Sequence, residues 1–214
     1  MVAVVAALAL PLTRQSMLAY HRNREALEER VAATIARLEA ANPGARAHAE
    51  RVSALAVATG RRLDMPDQAL EILRVAAWLH DVNVLTDPQE VVTTLAADGT
   101  PWETPRTVRW LKSHRASELP NADIAALIGM YKERWIDRPT AATTRPDLAL
   151  AANILYAAEL YDTTRSGLRP LPRPIPAERL ERLMTAHAGS TLDPVVVPAL
   201  LDAAQDLAES GTRR

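Results

Sequence analysis

His80 and Asp81 are adjacent in the chain, at the end of an apolar run from Ile72 to Leu79. A second histidine, His48, lies one predicted helix upstream. Two imidazoles and a carboxylate offer nitrogen and oxygen donors of the kind that hold a divalent ion. Such an ion lowers the pKa of a bound water and polarises a phosphoryl oxygen, so the chemistry implied is hydrolysis of a phosphate ester. Taken alone, a His-Asp pair reads equally well as a satisfied core histidine followed by a helix-capping aspartate. Glu159, on a later predicted helix, sharpens the signal. His48, His80 with Asp81, and Glu159 then come from three separate helices, which is how helical bundles assemble metal sites. Asp81 is the candidate catalytic residue, and His48, His80, Asp81 and Glu159 are the candidate ligands. This donor set accommodates Fe, Mn, Zn, Ni or Mg without selecting one.

The elements that must position these residues read at helical period, and no segment shows sustained alternation. Ser16 to Ala41 is predicted as a long amphipathic helix, with Leu27, Val31, Ile35 and Leu38 on one stripe. Asn42-Pro43-Gly44 ends it. This arm pairs with a second copy of the chain or forms the first helix of the bundle; two to three turns of stripe do not separate the two. Ala45 to Leu63 carries His48. A helix opened by Met65-Pro66-Asp67 runs to about Val82 and carries His80 and Asp81. Further helices are predicted from Asp87-Pro88 to Ala97, from Thr104-Pro105 through Trp110 and His114, and from Asn121 to about Trp135. Asp147 to about Ser166 carries Glu159 and Asp162. Two more start at Pro176 and at Asp193-Pro194. The expected architecture is an all-α bundle of about eight or nine helices, with residues 1–41 as an N-terminal segment and arm and residues 42–214 as the domain.

Composition narrows the options. The 214 residues suffice for one domain with a real core, and the net charge of -1 gives no electrostatic footprint for a nucleic-acid polymer. There is no cysteine, which excludes disulfides and thiolate ligands. A cytoplasmic location fits, although the lack of cysteine also suits an oxidising compartment. Met1 to Leu12 is apolar throughout but shorter than the roughly 20 residues a membrane span requires. It also lacks the positive charge that precedes a secretory signal, so it reads as a strand or helix start packed on the domain or on a second copy, with a truncated membrane anchor as the alternative.

Several runs, in order, resemble the HD superfamily of metal-dependent phosphohydrolases, and within it the HD-GYP branch. They are HAERVSALAVATGRRLDM from His48, ILRVAAWLHDVN from Ile72, LALAANILYAAELYDTTRSGLRP from Leu148 and AGSTLDPVVVPALL from Ala188. Together they span about Glu39 to Leu201. The resemblance implies an all-α HD fold, divalent metal and hydrolysis of the signalling nucleotide cyclic di-GMP. His48, His80 and Asp81 match the branch's ligands. Glu159 stands where it has an aspartate ligand, and Asp162 matches a second aspartate with a structural role. The departures are as informative. Tyr131-Lys132-Glu133-Arg134-Trp135 falls where the branch has His-His-Glu-Arg-Trp, so two histidine ligands are absent. Val84 replaces a lysine, and IDRPTAATTRP contains no GYP loop. His114, in KSHRASELP, is the candidate for the remaining family histidine. Lys132 and Arg165 are the candidate phosphate-binding cations. An ammonium at position 132 repels a second divalent ion, so at most one ion is expected. The expectation is a degenerate HD-GYP-type domain, dimeric through Ser16 to Ala41, serving as a regulatory or interaction module with little or no cyclic di-GMP hydrolysis. The alternative is an active one-metal phosphohydrolase acting on a nucleotide or other phosphate ester.

Overall fold

The computed structural model describes residues 2–82, 122–131, 145–166 and 174–212, with side chains from residue 22 onward except at 147 and 212. These residues form seven helices: α1 (Val2–Ala41), α2 (Ala45–Arg62), α3 (Asp67–Leu79), α4 (Ala122–Met130), α5 (Pro146–Ser166), α6 (Ala177–Ala186) and α7 (Val196–Thr212). Ala188 and Leu192 form an isolated bridge, and there is no strand among the described residues. The protein is all-α, as expected. None of the described helices is long and apolar enough to cross a membrane.

Helix α1 absorbs both the apolar start and the amphipathic arm. Its predicted stripe is the buried one: Ile35 and Leu38 are in the core with Ala45 and Ala49, Leu27 and Val31 are partly buried, and Trp78 packs against the same group. The turn into α2 is closed by Gly44, whose φ of 96° lies in the left-handed region that glycine adopts without a Cβ penalty. The Glu39 carboxylate accepts from the Gly44 and Arg46 amides at 3.0 and 2.8 Å. It thereby satisfies donors that the first turn of a helix leaves without an intrahelical partner. Those two amides hold the Glu39 carboxyl below the usual carboxylate range.

Helices α2 and α3 form a tight antiparallel pair joined by a short turn through Asp64, which adopts φ 53°. At the end of α2 the Met65 amide donates to the Gly60 carbonyl at 3.0 Å. Gly60 lies against the side chains of α3 and of the turn, with no room for a Cβ. A Cβ there would lie 2.7 Å from Leu70 Cδ2 and 3.0 Å from Met65 Sδ. An alanine normally returns about 1 kcal/mol of helix propensity. Overpacking of this kind typically costs about 1–3 kcal/mol, and the buried Leu70 has little room to retreat. Gly60→Ala should therefore lower stability by about 1 kcal/mol, and the bulkier Gly60→Val by more, as read from the urea midpoint.

Helix α5 runs through the centre. Residues on all its faces are buried, including Ala151, Ala152, Ile154, Leu155, Ala157, Ala158 and Leu160. A helix apolar all round belongs inside a bundle, and its alanines let neighbours approach. It packs against α2, α3, α4, α6 and α7. Polar ties fix its surroundings. Arg145 donates to Asp123 of α4 at 2.9 Å, and Asn153 donates to Asp193 at 2.7 Å. Asp193 Oδ1 accepts from the Val195 amide just before α7. Arg62 of α2 pairs with Asp206 of α7.

Some boundaries differ from expectation. Helix α3 stops at Leu79 rather than about Val82, so His80 is its C-cap and Asp81 lies in the turn beyond. Helix α4 ends at Met130, with Tyr131 in a turn, and its expected end near Trp135 lies outside the described residues; α7 begins at Val196 rather than at Asp193-Pro194. The helices expected from Asp87 and from Thr104 lie outside the described residues.

Candidate metal centre

Helix α2 supplies His48 one turn after its start. The ring is buried, and its Nδ1 lies 2.8 Å from Asp162 Oδ2 on the central helix α5. A carboxylate beside a ring nitrogen accepts a hydrogen bond from it, so in the neutral ring Nδ1 carries the hydrogen and Nε2 presents its lone pair. Burial, the largest influence on His48, favours the neutral ring. The bond to Asp162 and the charges of Asp81, Asp162 and Glu159 outweigh it and hold the pKa above its ordinary value. Asp162 is in turn gripped by Arg51, with Nε 2.6 Å from Oδ1 and Nη2 2.9 Å from Oδ2. Burial opposes the ionisation of Asp162, but the bonds from His48 and Arg51 prevail and keep its carboxyl below the usual range.

Helix α3 delivers the other two donors through the way it ends. His80 keeps helical dihedrals, φ −59° and ψ −30°, and its Nδ1 lies 2.7 Å from the Ala77 carbonyl. A carbonyl only accepts, so Nδ1 is again the protonated nitrogen and Nε2 carries the lone pair. The chain then turns, which brings the Asp81 carboxylate to the same side.

The consequence is a convergence of acceptors. His48 Nε2 and His80 Nε2 are 3.1 Å apart, and Asp81 Oδ2 is 3.6 Å from the first and 3.5 Å from the second. Two imidazole lone pairs and a carboxylate oxygen at these distances repel one another unless a cation or a proton sits among them. Donors bound to one ion at about 2.1 Å are separated by about 3.0 Å along an octahedral edge and about 3.4 Å along a tetrahedral one. The three observed separations match that scale, so His48, His80 and Asp81 fit a single divalent ion. They form a group of candidate ligands whose donor atoms lie within 4.8 Å of one another. The nitrogens facing away are anchored on Asp162 and on Ala77, as the outer partners of metal-binding histidines usually are.

The other predicted residues are distributed differently. Glu159 is fully buried on α5, and its charge is felt at His48, but its carboxylate does not join the three-donor cluster. One turn separates it from Asp162, and it is Asp162 that reaches His48. Arg165 is exposed in the last turn of α5, and its charge is felt at Tyr161. His114, Lys132 and Val84 lie outside the described residues. Tyr131 stands beside the centre. It is fully buried, and its ring meets His80 edge-on, with centroids 5.9 Å apart and planes at 90°. Reading the sequence identified it only as a missing ligand; its part in packing His80 is a tertiary fact. Arg51 was not singled out either. The available signal was its i+3 spacing from His48, which places both on one face of α2.

The fold is thus an all-α bundle that brings two histidines and an aspartate together as a candidate metal centre. A family model described as HD domain matches residues 31–196, from within α1 to the start of α7, and takes in every member of the cluster. The chain belongs to the HD superfamily of metal-dependent phosphohydrolases. A search of curated proteins returns no match.

Proposed function

We propose that this chain is a reduced member of the HD-GYP branch: a one-ion HD domain with little or no cyclic di-GMP hydrolysis, used as a regulatory or interaction module. The observation that carries this reading is the three-donor convergence with Tyr131 packed beside it. His48, His80 and Asp81 suffice for one divalent ion. Where the branch places a further histidine, this chain buries a phenol ring edge-on against His80. A neutral phenol, with a pKa near 10, is a poor substitute for an imidazole ligand at neutral pH. The ion is a divalent metal of the Fe, Mn, Zn, Ni or Mg group. Lys132 and Arg165 are the candidate cations for a phosphate-ester or nucleotide ligand, and the arm Ser16 to Ala41 is the candidate dimer contact.

The donor geometry also favours a second reading, in which the domain hydrolyses a nucleotide or other phosphate ester with one ion. A bound divalent ion would supply a water of lowered pKa and a Lewis acid for the phosphoryl oxygen. His48, His80 and Asp81 would hold it, with Asp162 and the Ala77 carbonyl fixing the two rings. The two readings separate in one assay. Metal-loaded protein is incubated with cyclic di-GMP and, in parallel, with bis(p-nitrophenyl) phosphate, with Asp81→Ala as the blank. The first reading expects no turnover of either above the blank. Turnover of the aryl diester alone, abolished in Asp81→Ala, supports the one-metal hydrolase. Rapid cyclic di-GMP cleavage dependent on Asp81 contradicts the reduced-domain reading.

A further inference from the structure

We propose that Arg51 is a positioning residue for the ion: it acts through Asp162 to hold His48 in the orientation and tautomer that binding requires. The proposal rests on the one-ion reading above. His48 and Arg51 lie one turn apart on α2, and both reach the same carboxylate on α5. The guanidinium takes Asp162 in a forked grip, Nε to Oδ1 at 2.6 Å and Nη2 to Oδ2 at 2.9 Å, while Oδ2 also accepts from His48 Nδ1 at 2.8 Å. A carboxylate held at both oxygens cannot rotate about its Cβ–Cγ bond, so the oxygen facing His48 stays in the plane that suits the ring. Arg51 also lies 3.4 Å from Ser166 Oγ, and Ser166 Oγ lies 3.5 Å from Asp162 Oδ1, which closes the outer side of the carboxylate.

Two physical effects follow. The first is geometric: the forked grip turns a flexible side chain into a fixed acceptor, and outer partners of this kind set the direction of a metal-binding imidazole. The second is chemical. An ionised carboxylate gripped by a guanidinium can only accept from the ring, so the neutral ring carries its hydrogen on Nδ1 and leaves the Nε2 lone pair facing His80 Nε2 at 3.1 Å. Lysine in place of Arg51 retains the charge but offers no planar fork, so Arg51→Lys should restore only part of the effect.

The test uses the full chain and Zn2+ alone as the probe, with affinity read by competition against a chelator. Arg51→Met should weaken Zn2+ binding about tenfold, and Arg51→Lys by less. In an Asp162→Asn background, Arg51→Met should weaken it no further, because its route to the ion is already cut. Arg62→Met is the structural control: it removes the Arg62–Asp206 pair from the same helix and should leave Zn2+ affinity unchanged. Wild-type affinity in Arg51→Met, or a loss of equal size in the Asp162→Asn background, overturns the proposal. Wild-type Zn2+ binding that is insensitive to His80→Ala overturns the one-ion reading itself, and the positioning role with it. Binding that needs His80 but ignores Arg51 removes the positioning role alone. If Arg51→Met fails to fold, Arg51→Lys and its cycle with Asp162→Asn decide the question.

Discussion

His80→Ala should weaken divalent-ion binding at least about 100-fold, the expected result when one of three converging donors is lost. Stability gives a second readout. With free Zn2+ at 100 times the wild-type Kd, binding stabilises the folded protein by about 2.7 kcal/mol, whereas a 100-fold weaker variant gains only about 0.4 kcal/mol. The Zn2+-dependent rise in melting temperature should therefore nearly vanish. The ion-free protein should behave differently. His80 is buried and its Nδ1 donates to Ala77, so its removal leaves a small cavity and strips that carbonyl of a partner. Against this, truncation removes one of two imidazole lone pairs held 3.1 Å apart. The two effects oppose each other, and the net loss without ion should be only about 1–2 kcal/mol. A variant that keeps both its Zn2+ affinity and its Zn2+-induced stabilisation would place the ion elsewhere.

Asp162→Asn should have the next largest effect, although Asp162 is not a member of the cluster. The substitution keeps size and shape but exchanges a carboxylate that accepts from both His48 and Arg51 for an amide that is half donor. One of those two partners must then face an N–H, or the amide must choose between them. Loss of an outer partner of this kind costs about 10–100-fold in metal affinity. Stability should fall by about 1–2 kcal/mol, because His48 is buried while Arg51 is about half exposed and regains water. A Zn2+ titration and a urea melt on the same preparation check both. Unchanged affinity with reduced stability would leave Asp162 as a packing residue only.

The sequence was most legible where its signals are local. The stripe of Leu27, Val31, Ile35 and Leu38 marks the buried face of α1, and Asn42-Pro43-Gly44 marks its end. Pro66 and Pro176 each stand immediately before a helix, as N-terminal signals should. The boundaries that moved are those where a turn competes with helical continuation. The run through Val82 is apolar enough to extend α3, yet the backbone leaves the helix after His80, with Asp81 in the turn beside the histidines. The sequence offered Glu159 as a candidate ligand and Asp162 as a structural residue, without saying which of them lies beside His48. One helical turn separates the two, about 5 Å of rise along α5, and only the docking of α5 on α2 decides which carboxylate meets the ring.

By itself, the sequence determined the helical class, the candidate ligands for a divalent ion, the exclusion of cysteine chemistry and the superfamily of the His48, His80-Asp81 pattern. These follow from short-range periodicity, capping and residue type. The tertiary structure decided which donors share one point and how each is oriented. His48 meets His80 across 32 residues of chain and Asp162 across 114. Contacts at such separations are set by how α2 packs against α3 and α5, through Gly60 and the alanine-rich surface of the central helix. That packing also sets the tautomers, since each ring's Nδ1 takes the acceptor that the neighbouring backbone or carboxylate presents. The candidate donors are therefore written in residue types, while their convergence on one point is a product of helix packing.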